Sequence, residues 1–170
     1  AKFHAHDPET GEMPAVGAIS FGCCVAEVEV DTETGVVDVT KLVQVWEVGK
    51  AVNPLLVRAQ INGGLHIGMG YALTESSYPY WPTEDYAAEK FGDYFMPTFL
   101  DYPPELLYGI EEVPHPAGVQ GAKGFSEGSS NGPPPAIAAA IHDAIGVWID
   151  TYPATPEVIL KALQAKESSG

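Results

Sequence analysis

The stretch GAKGFSEG at positions 121–128 sets three glycines around a single carboxylate, Glu127. Glycine at this density lets a backbone pass close to a neighbour or take left-handed conformations. A carboxylate presented from such a loop is the raw material of a general base. A helix is expected just after it, and its N-terminal amides would favour the negative charge. Phe125 beside the carboxylate would strip away water and make it a stronger base, whereas the cation of Lys123 would weaken it. A solvated surface carboxylate is the plainer alternative.

The other reactive side chains form weaker groupings. His4 and His6 flank one residue beside Asp7, but no cysteine or carboxylate cluster at ligand spacing completes a site, so no protein-held metal is assigned. His66 and His142 fall among apolar helix residues and read as core or boundary histidines. Gly68-Met69-Gly70 lacks the third glycine of a dinucleotide loop, and Gly118 to Lys123 lacks the Gly-Lys pair and hydroxyl of a phosphate loop. Cys23 and Cys24 are adjacent, so a strand would point them to opposite faces and no disulfide joins them. They read as reduced thiols of a cytosol-like, cytoplasmic compartment.

The elements that must position Glu127 follow from periodicity. Residues 1–17 are polar, turn-rich and aperiodic, and read as an arm. From Ala18 to Asp31, Val25, Glu27 and Glu29 interleave with Ala26, Val28 and Val30, the pattern of a strand with one wet face. Thr32 to Gly35 supplies a turn and VVDVTKLVQVWEV a second strand, giving a hairpin. Asn53-Pro54 starts a helix, Asn as N-cap and Pro at the first position. Its glycines 63, 64, 68 and 70 each cost about 1 kcal/mol against alanine. Gln60, Gly64 and Gly68 fall on one face, flat enough for another helix or a flat ligand.

Prolines at 79, 82, 97, 103, 104, 114 and 116 forbid a long helix or central strand and imply a wrapping segment with short extended pieces. Ile137, Ile141 and Ile145 mark an amphipathic helix. Thr155-Pro156-Glu157 starts a last one, whose Val158, Ile159, Leu160 and Leu163 cover a core edge. The fold class is α+β, a β-hairpin or sheet packed with a glycine-rich helix and two C-terminal helices, over residues 18–170.

At 170 residues, 45% hydrophobic and 18% charged, the chain has one domain's worth of core. Eight basic against 23 acidic side chains, a formal charge of -15, exclude nucleic acid and anionic membrane as partners. No apolar run is long enough for a membrane span, and AKFHAHDPETGEM lacks the pattern of a signal peptide.

Several segments resemble the C-terminal part of the molybdenum-binding subunit of the xanthine dehydrogenase and aldehyde oxidase family, the molybdenum hydroxylases. They are EVEVDTETG, WEVGKAVNPLLVRAQINGGLHIGMGYALTE, YFMPTFLD, GAKGFSEGSSNGPPPAIAAAIHDAIG and PATPEVILKAL, in family order from about residue 16. The resemblance implies that Glu127 is the general base, freeing a water-derived nucleophile to attack an electron-poor carbon of an N-heterocycle or aldehyde. It also implies that Gln60 hydrogen-bonds the pterin of a molybdopterin, as the cytosine dinucleotide, with Lys123, Gly124, Phe125 and Ser126 as supporting loop residues. Molybdenum is then held by the pterin and not by the chain.

Ser126 stands where such proteins usually have glycine, and Phe125 where a small aliphatic residue is common. Implied partners are the remainder of the molybdenum subunit and chains carrying 2Fe-2S clusters and FAD, since two cysteines cannot ligate a cluster. The chain reads as a fragment of a larger active site. A non-catalytic scaffold or interaction domain that keeps the fold is the alternative.

Overall fold

Two strands, β1 (Gly22–Val30) and β2 (Val37–Glu47), pair antiparallel from Gly22 opposite Trp46 to Val30 opposite Val37. The computed structural model describes residues 9–10, 18–76 and 90–169. The expected arm therefore lies almost wholly outside the described residues, as do His4 and His6. Along β1, Cys23, Val25, Glu27 and Glu29 are exposed while Cys24, Ala26, Val28 and Val30 turn inward, as the alternation predicts. A bulge interrupts the ladder between Glu27 and Val28, where the Thr40 hydroxyl donates to the Glu27 carbonyl at 3.2 Å.

The hairpin turn is built by Asp31, whose Oδ1 accepts from the backbone N–H of Glu33 at 2.8 Å and of Thr34 at 3.2 Å. Those bonds hold its carboxyl below the ordinary aspartate range. Gly35 closes the turn with φ +77, and a Cβ there would collide with the Pro156 carbonyl.

Asn53 caps α1 (Pro54–Leu73), its Oδ1 accepting from Leu56 N–H at 3.1 Å. This helix returns the chain to β3 (Glu105–Glu111), which runs parallel to β2 with Lys41 opposite Glu105 and Glu47 opposite Glu111. The sheet order is β1-β2-β3. β3 is thus an edge strand between Pro104 and Pro114, one of the short extended pieces expected of this proline-rich segment.

Helix α2 (Pro133–Ile145) packs on β1, its Ile137, Ile141 and Ile145 buried as predicted, and ends at Gly146 in the left-handed region. The Lys166 ammonium of α3 (Pro156–Ser169) donates to the Ile145 carbonyl at 2.8 Å, a cation at a helix C-terminus. The Thr155 carbonyl accepts the Ile159 N–H at 3.0 Å, so α3 begins where the Thr-Pro signal placed it. Leu42, Ile61, Leu65, Ile137, Ile141 and Ile159 form a core with no exposure, between one sheet face and the three helices. Among the described residues no helix is long and apolar enough to cross a membrane.

The glycines of α1 are repaid unequally. A Cβ at Gly64 would overlap the Ser129 hydroxyl, and one at Gly68 would lie 2.8 Å from Pro133 and from the Ser130 carbonyl. A Cβ at Gly63 would meet nothing within 4 Å. Gly63→Ala is expected to stabilise the protein by about 0.5–1 kcal/mol through helix propensity. Gly64→Ala is expected to destabilise it by about 1–3 kcal/mol through overpacking. Thermal unfolding of the two variants checks this, and shifts of the same sign would contradict it.

Candidate functional site

The loop carrying Glu127 begins by docking on the end of β2. Lys50 N–H donates to the Gly121 carbonyl at 2.9 Å and Lys123 N–H to the Val48 carbonyl at 3.1 Å, so Gly49 and Ala122 form a bridge. Gln120 and Gly121 both take positive φ, 53 and 82, to make the bend.

From there the Lys123 side chain turns to Glu47, and the two form an ion pair with side-chain exposures of 9% and 10%. Lys123 Nζ also donates to the Ile19 carbonyl at 2.7 Å, and Glu47 Oε1 accepts Gly49 N–H at 2.6 Å. Burial alone would raise the Glu47 carboxyl. The hydrogen bonds from Lys123 and Gly49, with the Lys123 charge, outweigh burial and hold it below the usual glutamate range.

The next anchor is aromatic and amide. Phe125 packs on Trp46 with ring centroids 5.6 Å apart. Trp46 Nε1 donates to Gln44 Oε1 at 2.9 Å, and Gln44 Nε2 donates to the Ser129 carbonyl at 2.7 Å. Gln44 and Ser129 have no exposure. The Ser129 hydroxyl lies 2.9 Å from the Gln60 carbonyl and 3.2 Å from that of Ser126, and Ser130 Oγ donates to the Glu127 carbonyl at 2.7 Å. Glu127 itself opens a single 3-10 turn, Glu127–Ser130. Its side chain is exposed, and its carboxylate makes no hydrogen bond or ion pair among the described residues.

Three of the candidate cofactor residues meet. Gln60, Lys123 and Phe125 line a hollow of about 310 Å³ with Val48, Lys50, Asn53 and Ala122. The Gln60 amide has no partner among the described residues, and Lys50 at the rim is engaged by Glu112 at 2.6 Å. Gly124 and Ser126 are exposed in the loop outside that lining. A larger cavity of about 470 Å³, bounded by Val37, Met69, Leu73, Tyr102 and Ala154, contains none of the candidate residues.

Two expectations need correction. The Lys123 ammonium is paired with Glu47 and not with Glu127. Phe125 does not shield Glu127, because its ring lies on Trp46. Of the two neighbours that the flat face of α1 admits, the structure shows close packing at Gly64 and Gly68, where Ser129, Ser130 and Pro133 of the same chain fill it; its first member, Gln60, faces the hollow.

Elsewhere, His66 stacks on Tyr102 at 4.8 Å with its Nε2 2.7 Å from the Pro97 carbonyl, and His142 stacks on Trp148 at 4.1 Å, both boundary histidines. Burial pushes the Cys24 thiol up to about 11, which makes it a poor nucleophile. Gln44, Trp46, Glu47 and Ser129 escaped the sequence reading. One signal was available: Gln44 stands in register with Leu42 and Trp46 on the inward side of β2, a polar side chain at a core position.

Residues 1–103 match the family model of the molybdopterin cofactor-binding domain. A probable xanthine dehydrogenase component from Bacillus subtilis is 36% identical over 165 residues, covering 95% of this chain and 22% of that one. The structure of the aldehyde oxidoreductase of Desulfovibrio gigas superposes with a TM-score of 0.77 at 34% identity, over 85% of this chain and 15% of that one. Quinoline 2-oxidoreductase from Pseudomonas putida 86 gives 0.74 at 34% identity, over 81% and 18%. The chain spans 15% to 22% of the length of the first curated relatives it matches.

The Glu47–Lys123 pair sets an acid limit on the docked loop. Because the folded-state carboxyl is depressed, its stabilisation is complete above the unfolded value and is lost as pH falls through the folded one. Stability of the wild type is therefore expected to drop on acidification below the ordinary carboxylate range more steeply than that of Glu47→Gln. Thermal unfolding across that range checks it, and parallel curves would contradict it.

Proposed function

This chain belongs to the molybdenum hydroxylase family through its molybdopterin cofactor-binding domain, and from that premise we propose that it forms one wall of a molybdopterin-dependent oxidoreductase with Glu127 as general base. The observation carrying the proposal is a contrast within one loop. Its backbone is fixed by Ser129 and Ser130 and by the docking of Gly121 to Lys123, yet the Glu127 carboxylate is bound to nothing among the described residues. A carboxylate on a fixed stretch of backbone and left unpaired is suited to accept a proton from a substrate-side group.

The residues around the hollow fit the polar edge of a pterin. The Gln60 amide offers both a donor and an acceptor, and the described residues leave both unused. Phe125 supplies a half-buried apolar wall, and a Cβ at Gly124 would meet nothing within 4 Å, so the backbone there is open to a neighbour. Lys50 and Lys123 are both paired with carboxylates, so recognition rests on neutral hydrogen bonds. Lys123 then contributes through its backbone and stem while its ammonium holds the loop.

When bound, the molybdenum cofactor supplies two-electron oxidation of a substrate carbon with oxygen taken from water. The substrate class is an electron-poor carbon of an N-heterocycle or aldehyde, in keeping with relatives named xanthine dehydrogenase and aldehyde oxidoreductase. The cytosine dinucleotide form of the cofactor, chains carrying 2Fe-2S clusters and FAD, the remainder of the molybdenum subunit and a cytoplasmic location belong to the same proposal. Glu127 holds the proton at a carboxylate oxygen, and Gln60 orients the group against which Glu127 works.

In the assembled enzyme, Glu127→Gln is expected to keep the molybdenum content and lower kcat by about 10²–10⁴-fold, the usual worth of a positioned base. Gln60→Ala is expected to lower the molybdenum and pterin content measured on the purified protein. Wild-type turnover in Glu127→Gln would overturn the base assignment, and full cofactor content in Gln60→Ala would overturn the contact.

A further inference from the structure

We propose that Gln44 and Ser129 are positioning residues that set where the Glu127 carboxylate stands relative to Gln60, a reading that rests on the assignment of Glu127 as base. Gln44 is the polar member of an inward row whose neighbours are Leu42 of the core and Trp46 packed against it, and it has no exposure. An amide at such a place is costly unless both its ends are bonded. Here the carbonyl end accepts Trp46 Nε1 at 2.9 Å and the amino end donates to the Ser129 carbonyl at 2.7 Å. An apolar side chain of similar size would fill the same volume and fix nothing.

What Gln44 fixes is the turn that bears the base. Ser129 lies two residues beyond Glu127, and its hydroxyl lies within hydrogen-bonding distance of the carbonyls of Gln60, at 2.9 Å, and Ser126, at 3.2 Å. One serine thus ties the helix turn that carries Gln60 to the residue before Glu127. The fit is close on every side. Gly64 leaves room for the Ser129 hydroxyl, and a Cβ at Gly132 would lie 2.8 Å from Gln44 Nε2. The wide sequence gaps, 85 residues from Gln44 to Ser129 and 69 from Ser129 to Gln60, make this a tertiary lock between β2, α1 and the loop.

A base displaced by about 1 Å loses on the order of a hundredfold in rate. Gln44→Met and Ser129→Ala, each made in the assembled enzyme, are expected to lower kcat by about 10–100-fold while KM and molybdenum content stay near wild type. The deciding measurement is the double-mutant cycle with Glu127→Gln. If Gln44 acts through the base, Gln44→Met costs almost nothing further once Glu127 is gone.

An equal fold-loss of kcat from Gln44→Met in the wild-type and Glu127→Gln backgrounds would show a general structural effect and overturn the proposal. Wild-type kcat in Gln44→Met with a low kcat in Glu127→Gln would overturn the positioning role and leave the base assignment standing. A wild-type kcat in Glu127→Gln would instead remove the base assignment and this inference with it. Should Gln44→Met fail to assemble, the cycle of Ser129→Ala with Glu127→Gln decides by the same comparison, since Ser129→Ala keeps the carbonyl that Gln44 binds.

Discussion

The buried contact between the Gln44 amide and the Ser129 carbonyl is the constraint on which the candidate site depends. It crosses from the central strand to the loop at a place with no solvent exposure, where an amide must find partners or be strongly destabilising. Everything close to it is shaped by that demand. A Cβ at Gly64 would overlap the Ser129 hydroxyl, and one at Gly132 would lie 2.8 Å from Gln44 Nε2 and from Cys24 Cβ. Trp46 completes the amide on its other end and then offers its ring to Phe125. A sheet, a helix and a loop from three parts of the chain are joined at one buried polar point beside the apolar core.

The second tie, between Glu47 and Lys123, differs in kind. It is a charged pair with little exposure, and removing either partner leaves the other uncompensated. It clamps the start of the loop to the end of β2, whereas the Gln44–Ser129 contact clamps the loop's far side. Between the two clamps lie Gly124, Phe125, Ser126, Glu127 and Gly128, so the segment is fixed at both ends, with Phe125 packed on Trp46 and Gly124, Ser126 and Glu127 exposed. That arrangement fixes the backbone of Glu127, whose exposed carboxylate has no bond among the described residues. It also separates support from chemistry: the groups that hold the loop are buried, and the group proposed to react is open to whatever covers this face.

The elements were legible in the sequence because their signals are local. Period-two alternation around Val25 and Val28 gave the hairpin, Asn53-Pro54 gave the start of α1, and Ile137, Ile141 and Ile145 gave the buried stripe of α2. The location of Gln60 on a helix and of Glu127 in a constrained loop was legible for the same reason. Partnerships were not, because nearness along the chain says little about nearness in space. Lys123 stands four residues from Glu127, yet it pairs with Glu47, 76 residues away. The flat glycine face of α1 admits either a close-packing neighbour or a flat ligand, and only the fold shows that Ser129 and Pro133 supply the packing. Gln44 carried a visible signal, a polar residue in an apolar row, whose meaning depended on a carbonyl that periodicity could not place.

The crystal structure of the assembled enzyme with its cofactor bound tests the central claim most directly. The expected result is a pterin hydrogen-bonded to the Gln60 amide, the Glu127 carboxylate facing the reacting centre, and the Gln44–Ser129 contact unchanged. A Glu127 carboxylate turned away from the cofactor, or paired with a cation of another chain at a distance from it, would contradict it.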